Sequence, residues 1–544
     1  MSQASPWSWL KPPAAHHRRY AAAGVWRNKT IADLAIDLAG RDPEAPLFLD
    51  AGPRADRQSV LADAEALAAS LAELGLKAGD VVSFQIPNWI EAAVVNLSAA
   101  IGGFVVNPIV PIYRDAEVGM MLADCGARAL FVAGEFRKYD YAAMIERLRP
   151  QLPELRHVIL VRASRDGFCS FDDLIAAGRK RSFRRPSVDP GAVKMLLYTS
   201  GTTGRPKGVL HSHNTIARAV ECCVRHWDIR AGDAIIMPSP VTHISGYSNG
   251  LELPFLAETR TVLMESWNAR DAISLINRHQ VMGTVAATPF LVELAAAARE
   301  AGDRLSWLRF FACGGAAVPP DVIPNANAAF ARARAFRVFG ASEVPLVTLG
   351  YPAPADERLA ATTDGAIVDY DVRIVDNDER DVATGEEGEI LARGPAMFMG
   401  YADKKQTEEA ITDDGYFRTG DLGRLTPEGA ILITGRKKDL IIRGGENISA
   451  KEIEDVLHAH EAVKEAAVVG MPHERLGEGI CAYVILKPER SADAAALAAH
   501  VGASGLAKQK IPERFEFVDD FPRTASGKIR KDKLRARIKA AMAV

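Results

Sequence analysis

Between Tyr198 and Gly208 the chain reads Tyr-Thr-Ser-Gly-Thr-Thr-Gly-Arg-Pro-Lys-Gly. The glycines at 201, 204 and 208 allow a tight turn whose backbone N–H groups can approach a ligand closely. Thr199, Ser200, Thr202 and Thr203 add hydroxyl donors, and Arg205 and Lys207 add charge-assisted ones. All of this suits a polyphosphate, with Thr199, Ser200, Gly201, Thr202, Thr203, Gly204 and Lys207 as the candidate contacts. The spacing is not the GxxxxGK[ST] of P-loop nucleotidases, because Lys207 follows Pro206 and precedes Gly208. A short Gly/Ser/Thr stretch is more often a plain connection; ten residues of consistent chemistry reverse that reading. His211 and His213 have no ligand cluster around them and read as structural. Near the C-terminus, Gly527 and the preceding Pro522-Arg-Thr fix a loop around Lys528. The following Arg530, Lys531, Lys533, Arg535, Arg537 and Lys539 read as a solvated helix face.

The elements that must position these residues alternate in type. Leu67, Leu71 and Leu74 fall on one helical face and are followed by Gly75 and Gly79, where that helix should stop. Val81–Phe84 then reads as a buried strand and Glu91–Ala100 as a helix. Apolar runs recur at Ala129–Val132, Val158–Val161, Lys194–Tyr198 and Ala234–Met237. This is the rhythm of a mostly parallel sheet covered by helices. The phosphate loop is expected between a strand and a helix. The last hundred or so residues differ, running helix, strand, strand, helix, strand, basic helix, about the size of a small domain. The expected fold is therefore α/β: a large N-terminal domain of mixed, mostly parallel sheets over 1–435, and a small α+β C-terminal domain over 436–544.

With 544 residues, two to four cooperating units are expected by size (roughly 100–200 residues each). Hydrophobic residues make up 48% and charged ones 25%, which excludes a disordered chain, a collagen or a coiled-coil rod. A net charge of −3 gives no global reason to expect nucleic acid or an anionic membrane as the main partner. The six cysteines form no CxxC pair and read as reduced, mostly buried thiols. No secretory leader or membrane span is visible, so a cytoplasmic protein is expected. The Trp-rich leader (Trp7, Trp9, Trp26) reads as a packing arm.

The loop Tyr198–Val209 resembles the signature loop of the adenylate-forming superfamily, which comprises acyl-CoA synthetases, amino-acid adenylation domains and luciferases. That family's motif order can be followed from about Thr30 to Arg535. The resemblance implies that Gly314, Gly315 and Ala316 lie along the nucleotide and the acyl pocket. Phe339-Gly340-Ala-Ser342-Glu343 is similar to the family's Tyr-Gly-x-Thr-Glu, which implies that Phe339 stacks on adenine and that Glu343 holds Mg²⁺ beside the phosphates. Phe339 lacks the usual hydroxyl and Ser342 replaces threonine, changes expected to tune affinity. Tyr416–Asp421 resembles the motif whose aspartate takes both ribose hydroxyls, as two carboxylate oxygens can. Arg436 would contact the same ribose. Gly435–Ile448 is similar to the family's hinge region, with Lys438 as the hinge and Gly444 and Gly445 lining the path of the pantetheine arm. By the same resemblance Lys528 reaches the α-phosphate and the acyl carboxylate, and His243 stands at the acyl-pocket wall, with Thr288, Pro289, Gly314 and Val344 as further lining candidates. Lys528, Glu343 and His243 are the catalytic candidates.

The implied chemistry has two steps. A carboxylate attacks the α-phosphorus of ATP and expels pyrophosphate; the thiol of coenzyme A then attacks the acyl carbonyl and releases AMP. Two anions must meet in the first step, so cations and oriented N–H groups are required. The resemblance implies that the C-terminal domain (436–544) is a mobile cap that brings in Lys528 and later swings about Lys438. The stretch His243–Gly250 lacks the aspartate that amino-acid adenylation domains use for the substrate ammonium. The resulting expectation is an AMP-forming acyl-CoA synthetase for a short- or medium-chain or alicyclic acid. A benzoate-like aryl acid is the competitor, and an ADP-releasing phosphotransferase is the alternative of another class.

Overall fold

Val81–Gln85 is buried at every position, as are Val105–Pro108, Ala129–Ala133 and Val281–Ala286. Strands buried along their whole length belong to parallel sheets covered on both faces. The computed structural model describes residues 7, 9–10, 20–49, 55–199, 206–315, 318–319, 321–443, 446–524 and 527–542. An eight-stranded sheet runs in the order Gly400–Tyr401, Lys207–Ser212, Val193–Thr199, Val105–Pro108, Val81–Gln85, Ala129–Ala133, His157–Val161, Cys169–Ser170. It is parallel from Val193–Thr199 onward and antiparallel at the other end. A second, six-stranded sheet is parallel throughout: Phe48–Leu49, Arg260–Leu263, Ala234–Met237, Val281–Ala286, Phe310–Gly314, Arg334–Val338. A four-stranded antiparallel sheet follows, made of Asp371–Val375, Gly388–Arg393, Phe417–Leu425 and Ile431–Arg436. The α/β class expected from the sequence is thus the one observed.

Local chemistry starts the helices where the pattern puts them. The Thr30 hydroxyl accepts from the Asp33 N–H while the Asp33 carboxylate accepts from the Thr30 N–H at 2.8 Å, a reciprocal cap. Asp56, Ser170, Ser212 and Asn268 cap other helices through their side chains. The helix Ile90–Gly102 is buried from Ala92 onward and packs on Arg57–Glu73. In that layer the helix Phe171–Gly178 comes so close that a Cβ on Gly178 would fall on the Ala66 carbonyl.

The segment after the phosphate loop differs from expectation. Lys207–Ser212 is a strand, antiparallel to Val193–Thr199 with Lys207 opposite Thr199 and Gly208 opposite Tyr198. The loop therefore closes a hairpin, and the helix starts only at His213. Burial of Val209 and Leu210 favours the strand, and Gly208 is required because a Cβ there would sit 2.7 Å from Leu196 and 3.1 Å from Ala402. The N-terminal tryptophans do pack: Trp7 is buried in the main core, and Trp26 donates to the Pro395 carbonyl at 3.0 Å. All six cysteines are free thiols, and only Cys169 is not fully buried.

After Arg436 a short 3₁₀ turn, Lys437–Asp439, leads into a five-stranded sheet of Ile441–Arg443, Glu446–Ile448, Val463–His473, Gly477–Leu486 and Arg514–Phe517. One face is covered by Ala450–His458 and Ala494–Ala503, the other by Leu534 and Ile538 of the helix Lys531–Met542. The basic face of that last helix is not wholly solvated, contrary to the sequence reading. Lys531 pairs with Glu454 at 2.7 Å with both side chains mostly buried, and Arg535 pairs with Asp439 of the 3₁₀ turn at 3.0 Å. Among the described residues no helix is long and apolar enough to cross a membrane.

The crowding at Gly178 makes a direct expectation. Gly178→Ala should destabilise by about 1–3 kcal/mol, the usual range for overpacking. Urea unfolding followed by tryptophan fluorescence should begin at lower denaturant.

Candidate active site

A cleft of about 940 Å³ opens between the larger part of the chain and the C-terminal sheet, and most of the described candidate residues line it. Thr199 and Lys207 face it from the two sides of the hairpin, at the ends of their strands. Gly314 and Gly315 border it where Phe310–Gly314 ends. Gly340, Ser342 and Glu343 form another wall, and Asp421 and Arg436 reach it from paired positions on adjacent antiparallel strands. Lys438 enters from the 3₁₀ turn, His243 from the segment before a short helix, and Lys528 from a turn of the C-terminal part. Ser200, Gly201, Thr202, Thr203, Gly204, Ala316, Gly444 and Gly445 lie outside the described residues.

Three candidates are not at the cleft surface. Phe339 does not line the cleft; it is half-buried and packs against an apolar cluster that includes Val344 and Phe398. Val344 is fully buried in the same cluster. Thr288 sits at a helix start, where its hydroxyl accepts from the Cys313 thiol at 3.7 Å. Pro289 does line the cleft.

The charges in the cleft act on one another. Lys528 is held by a turn in which the Thr524 N–H donates to the Lys528 carbonyl at 2.7 Å and the Lys528 N–H donates to the Thr524 hydroxyl at 3.1 Å. Its ammonium hydrogen bonds to no described residue. Loss of water inside the cleft brings that ammonium down to about 8; Arg436 adds repulsion, while Asp421 and Glu343 oppose the shift. Burial lowers His243 to about 4, with the Lys528 charge as the second cause, so the imidazole is neutral at pH 7. Burial raises the Glu343 carboxyl, opposed by a hydrogen bond from the Tyr401 hydroxyl to Oε1 at 2.8 Å and then by the charges of Lys207 and Lys528. Asp421 is 3% exposed; its Oδ1 forms an ion pair with Arg436 Nε at 2.7 Å, and its Oδ2 has no hydrogen-bond partner among the described residues.

Tyr401 was not foreseen from the sequence. It lies on the two-residue strand Gly400–Tyr401, which pairs with the phosphate-loop hairpin, and the Lys207 ammonium stands 4.8 Å from its ring centre. Its partner Glu343 is 58 positions away, a pairing no local pattern reveals. His211 is structural as expected: buried, with Nδ1 against the Thr215 hydroxyl at 3.0 Å and Nε2 against the Ser342 carbonyl at 2.7 Å.

This arrangement has known counterparts. The AMP-binding enzyme family profile matches residues 37–402, and the profile of the AMP-binding enzyme C-terminal domain matches 452–528. The chain belongs to the AMP-binding enzyme family. Its members are adenylate-forming, AMP-forming ligases, and this chain is an enzyme of that kind. It is 33% identical over 522 residues to a medium-chain fatty-acid–CoA ligase of Escherichia coli, covering 95% of this chain and 92% of that one. It is 32% identical over 538 residues to the vibriobactin-specific 2,3-dihydroxybenzoate-AMP ligase of Vibrio cholerae, covering 98% and 97%. The ATP-bound structure of MatB from Rhodopseudomonas palustris superimposes with a TM-score of 0.83 at 27% identity, covering 94% of this chain and 99% of that one. The apo form of the same protein, at 26% identity and the same coverage, gives 0.72.

The Tyr401–Glu343 contact generates a prediction of its own. A hydrogen bond to the ionised carboxylate lowers its pKa, so Tyr401→Phe should raise the Glu343 titration further. Isotope-edited infrared titration of the free enzyme would register the upward move.

Proposed function

We propose that the chain activates a carboxylic acid with ATP, forming an acyl-adenylate and pyrophosphate, and then passes the acyl group to the thiol of coenzyme A. The observation that carries this reading is the Lys528 ammonium, borne by the C-terminal part, inside the same cleft as Glu343 and Asp421. In the first step a carboxylate oxygen attacks the α-phosphorus and the bond to pyrophosphate breaks. Lys528 neutralises charge where the two anions meet, worth about 10²–10³ in rate for one such preorganised contact. The unpartnered Asp421 Oδ2 accepts from a ribose hydroxyl, and Arg436 orients that carboxylate. Thr199 and Lys207 frame the phosphate loop. Glu343 fits as an oxygen ligand for Mg²⁺. Among the described residues no group of three potential protein ligands gathers, so other oxygens would come from the nucleotide phosphates. Bound there, the ion would offset charge on the triphosphate.

The second step needs the lysine withdrawn and a thiol admitted. Lys438, in the 3₁₀ turn between the two parts, is the pivot in this reading. The closer match to the ATP-bound than to the apo relative supports a cleft arranged for the first step. In this proposal residues 1–435 bind nucleotide and acid, and 436–544 form the moving cap.

For the acid, Ala219, Val220, Met264, Val285 and Ala286 supply apolar wall, and neutral His243 adds no charge. This favours a short- or medium-chain or alicyclic acid, in line with the name of the Escherichia coli relative. A second reading, a hydroxylated aryl acid, is favoured by one specific observation. Thr242 Oγ1, Ser248 Oγ and Asn249 Oδ1, all on residues lining the cleft, are buried with no hydrogen-bond partner among the described residues. The name of the Vibrio cholerae relative points the same way.

The test is a panel of acids, from acetate through octanoate, cyclohexanecarboxylate, benzoate and 2,3-dihydroxybenzoate, scored for release of AMP with ATP and coenzyme A present. ADP as the only nucleotide product would overturn the reading. Lys528→Ala should lower acid-dependent ATP–pyrophosphate exchange about 10²–10³-fold while sparing thioester formation from preformed acyl-adenylate. Equal losses in both assays would remove Lys528 from its role. A lysine needed in its charged form acts below its pKa, so kcat/KM for ATP, which reports the free enzyme, should fall as pH rises through about 8. The fall in kcat should come at higher pH, because bound phosphates favour the ammonium.

A further inference from the structure

Deep beneath the cleft lies an ion pair that the chemistry above does not use. Lys194 and Glu252 have side chains 3% and 1% exposed, with the ammonium 2.8 Å from Glu252 Oε1. The same ammonium donates to the Tyr247 hydroxyl at 2.9 Å and to Asn96 Oδ1 at 3.2 Å. Its three donors thus meet three acceptors. The ring closes through Asn96 Nδ2 donating to Glu252 Oε1 at 2.6 Å and the Tyr247 hydroxyl donating to Asn96 Oδ1 at 2.5 Å.

The location of these partners gives the cluster its meaning. Tyr247 and Glu252 are the first and last residues of a π-helical turn, Tyr247–Glu252, and Ser248 and Asn249 between them line the cleft. Lys194 is on the strand Val193–Thr199, whose end at Thr199 borders the same cleft beside the phosphate loop. Asn96 comes from the buried helix Ile90–Gly102. A π turn is a rare departure from the α-helix and is frequently found at functional sites, so side-chain support that holds its shape bears on the site. A buried ion pair contributes little net stability compared with well-packed apolar groups, but it accepts only one geometry. Here it grips both ends of a turn that carries the polar side chains of Ser248 and Asn249 to the cleft, and it anchors them to the strand that leads to Thr199.

We propose that Lys194, Glu252, Tyr247 and Asn96 are positioning residues that fix the π turn against the nucleotide-binding strand and thereby set which acids the cleft accepts. This rests on the acid-activating function proposed above. None of the four groups lines the cleft, so their removal acts through the wall they hold. Shifts of the order of 1 Å in such a wall change reactivity toward a given acid by up to about 10²-fold.

The test replaces both charges together, Lys194→Met with Glu252→Leu, since removing one alone would leave the other charge buried and unpaired. Two measurements are made on the full chain. Hydrogen exchange should quicken over 244–252 while the rest of the larger part keeps its protection. In acid-dependent ATP–pyrophosphate exchange, KM for the preferred acid should rise about tenfold and the ranking across the acid panel should flatten, with KM for ATP within about twofold of the parent. Unchanged exchange over 244–252, or equal changes in KM for acid and for ATP, overturns the proposal. Should the double variant fail to fold, Tyr247→Phe removes a single hydroxyl. It is expected to give a smaller change in the same two readouts, and no change in either overturns the proposal equally. If the parent activates no acid in the panel, the proposed function fails, and the exchange over 244–252 alone decides the role of the cluster.

Discussion

Charge kept away from water is unfavourable unless an opposite charge or a ligand answers it, and the cleft is organised around that constraint. Its cations and carboxylates do not simply cancel. Arg436 answers one oxygen of Asp421 and leaves the other; Tyr401 answers one oxygen of Glu343; Lys528 has no described hydrogen-bond partner. What remains unanswered includes the Lys528 ammonium and one oxygen of Asp421, around a space lined by polar and apolar side chains together. Such a space suits an anionic, hydroxyl-bearing molecule better than it suits water.

The sheets explain how residues so far apart in sequence arrive together. Thr199 and Gly314 stand at the ends of parallel strands in two different sheets, where connections must leave the sheet and side chains become available. Asp421 and Arg436 come from a third, antiparallel sheet, as cross-strand partners whose side chains share one face. Lys528 comes from a fourth unit, joined to the rest through the Lys437–Asp439 turn, with an ion pair from Lys437 to Glu389 and a hydrogen bond from the Ser449 hydroxyl to the Thr434 carbonyl at 2.6 Å. The first three contributions are fixed by sheet hydrogen bonds. The fourth adds no strand to those three sheets.

Much of this was legible in the chain. Strands such as Ala129–Ala133 announce themselves as short all-apolar runs, and Lys207, Glu343, Asp421, Arg436 and Lys528 could be named because each sits in a short pattern of distinctive composition. Reading failed where the deciding contact is distant. Phe339 packs against a cluster with Val344 and Phe398 that no local pattern announces, and the Tyr401–Glu343 and Lys194–Glu252 partners are each 58 positions apart. The strand after the phosphate loop was missed for another reason. Lys207–Ser212 is a short segment just ahead of a capped helix, and only its pairing with Val193–Thr199 makes it a strand.

The two-residue strand Gly400–Tyr401 has a consequence beyond the cleft. It covers one border of the eight-stranded sheet, and the other border is the equally short Cys169–Ser170. Neither leaves a long row of open backbone donors and acceptors for a neighbouring chain to copy. Short borders of this kind disfavour pairing of one copy's sheet edge with another's, and the segment that places a tyrosine beside Glu343 is one of them.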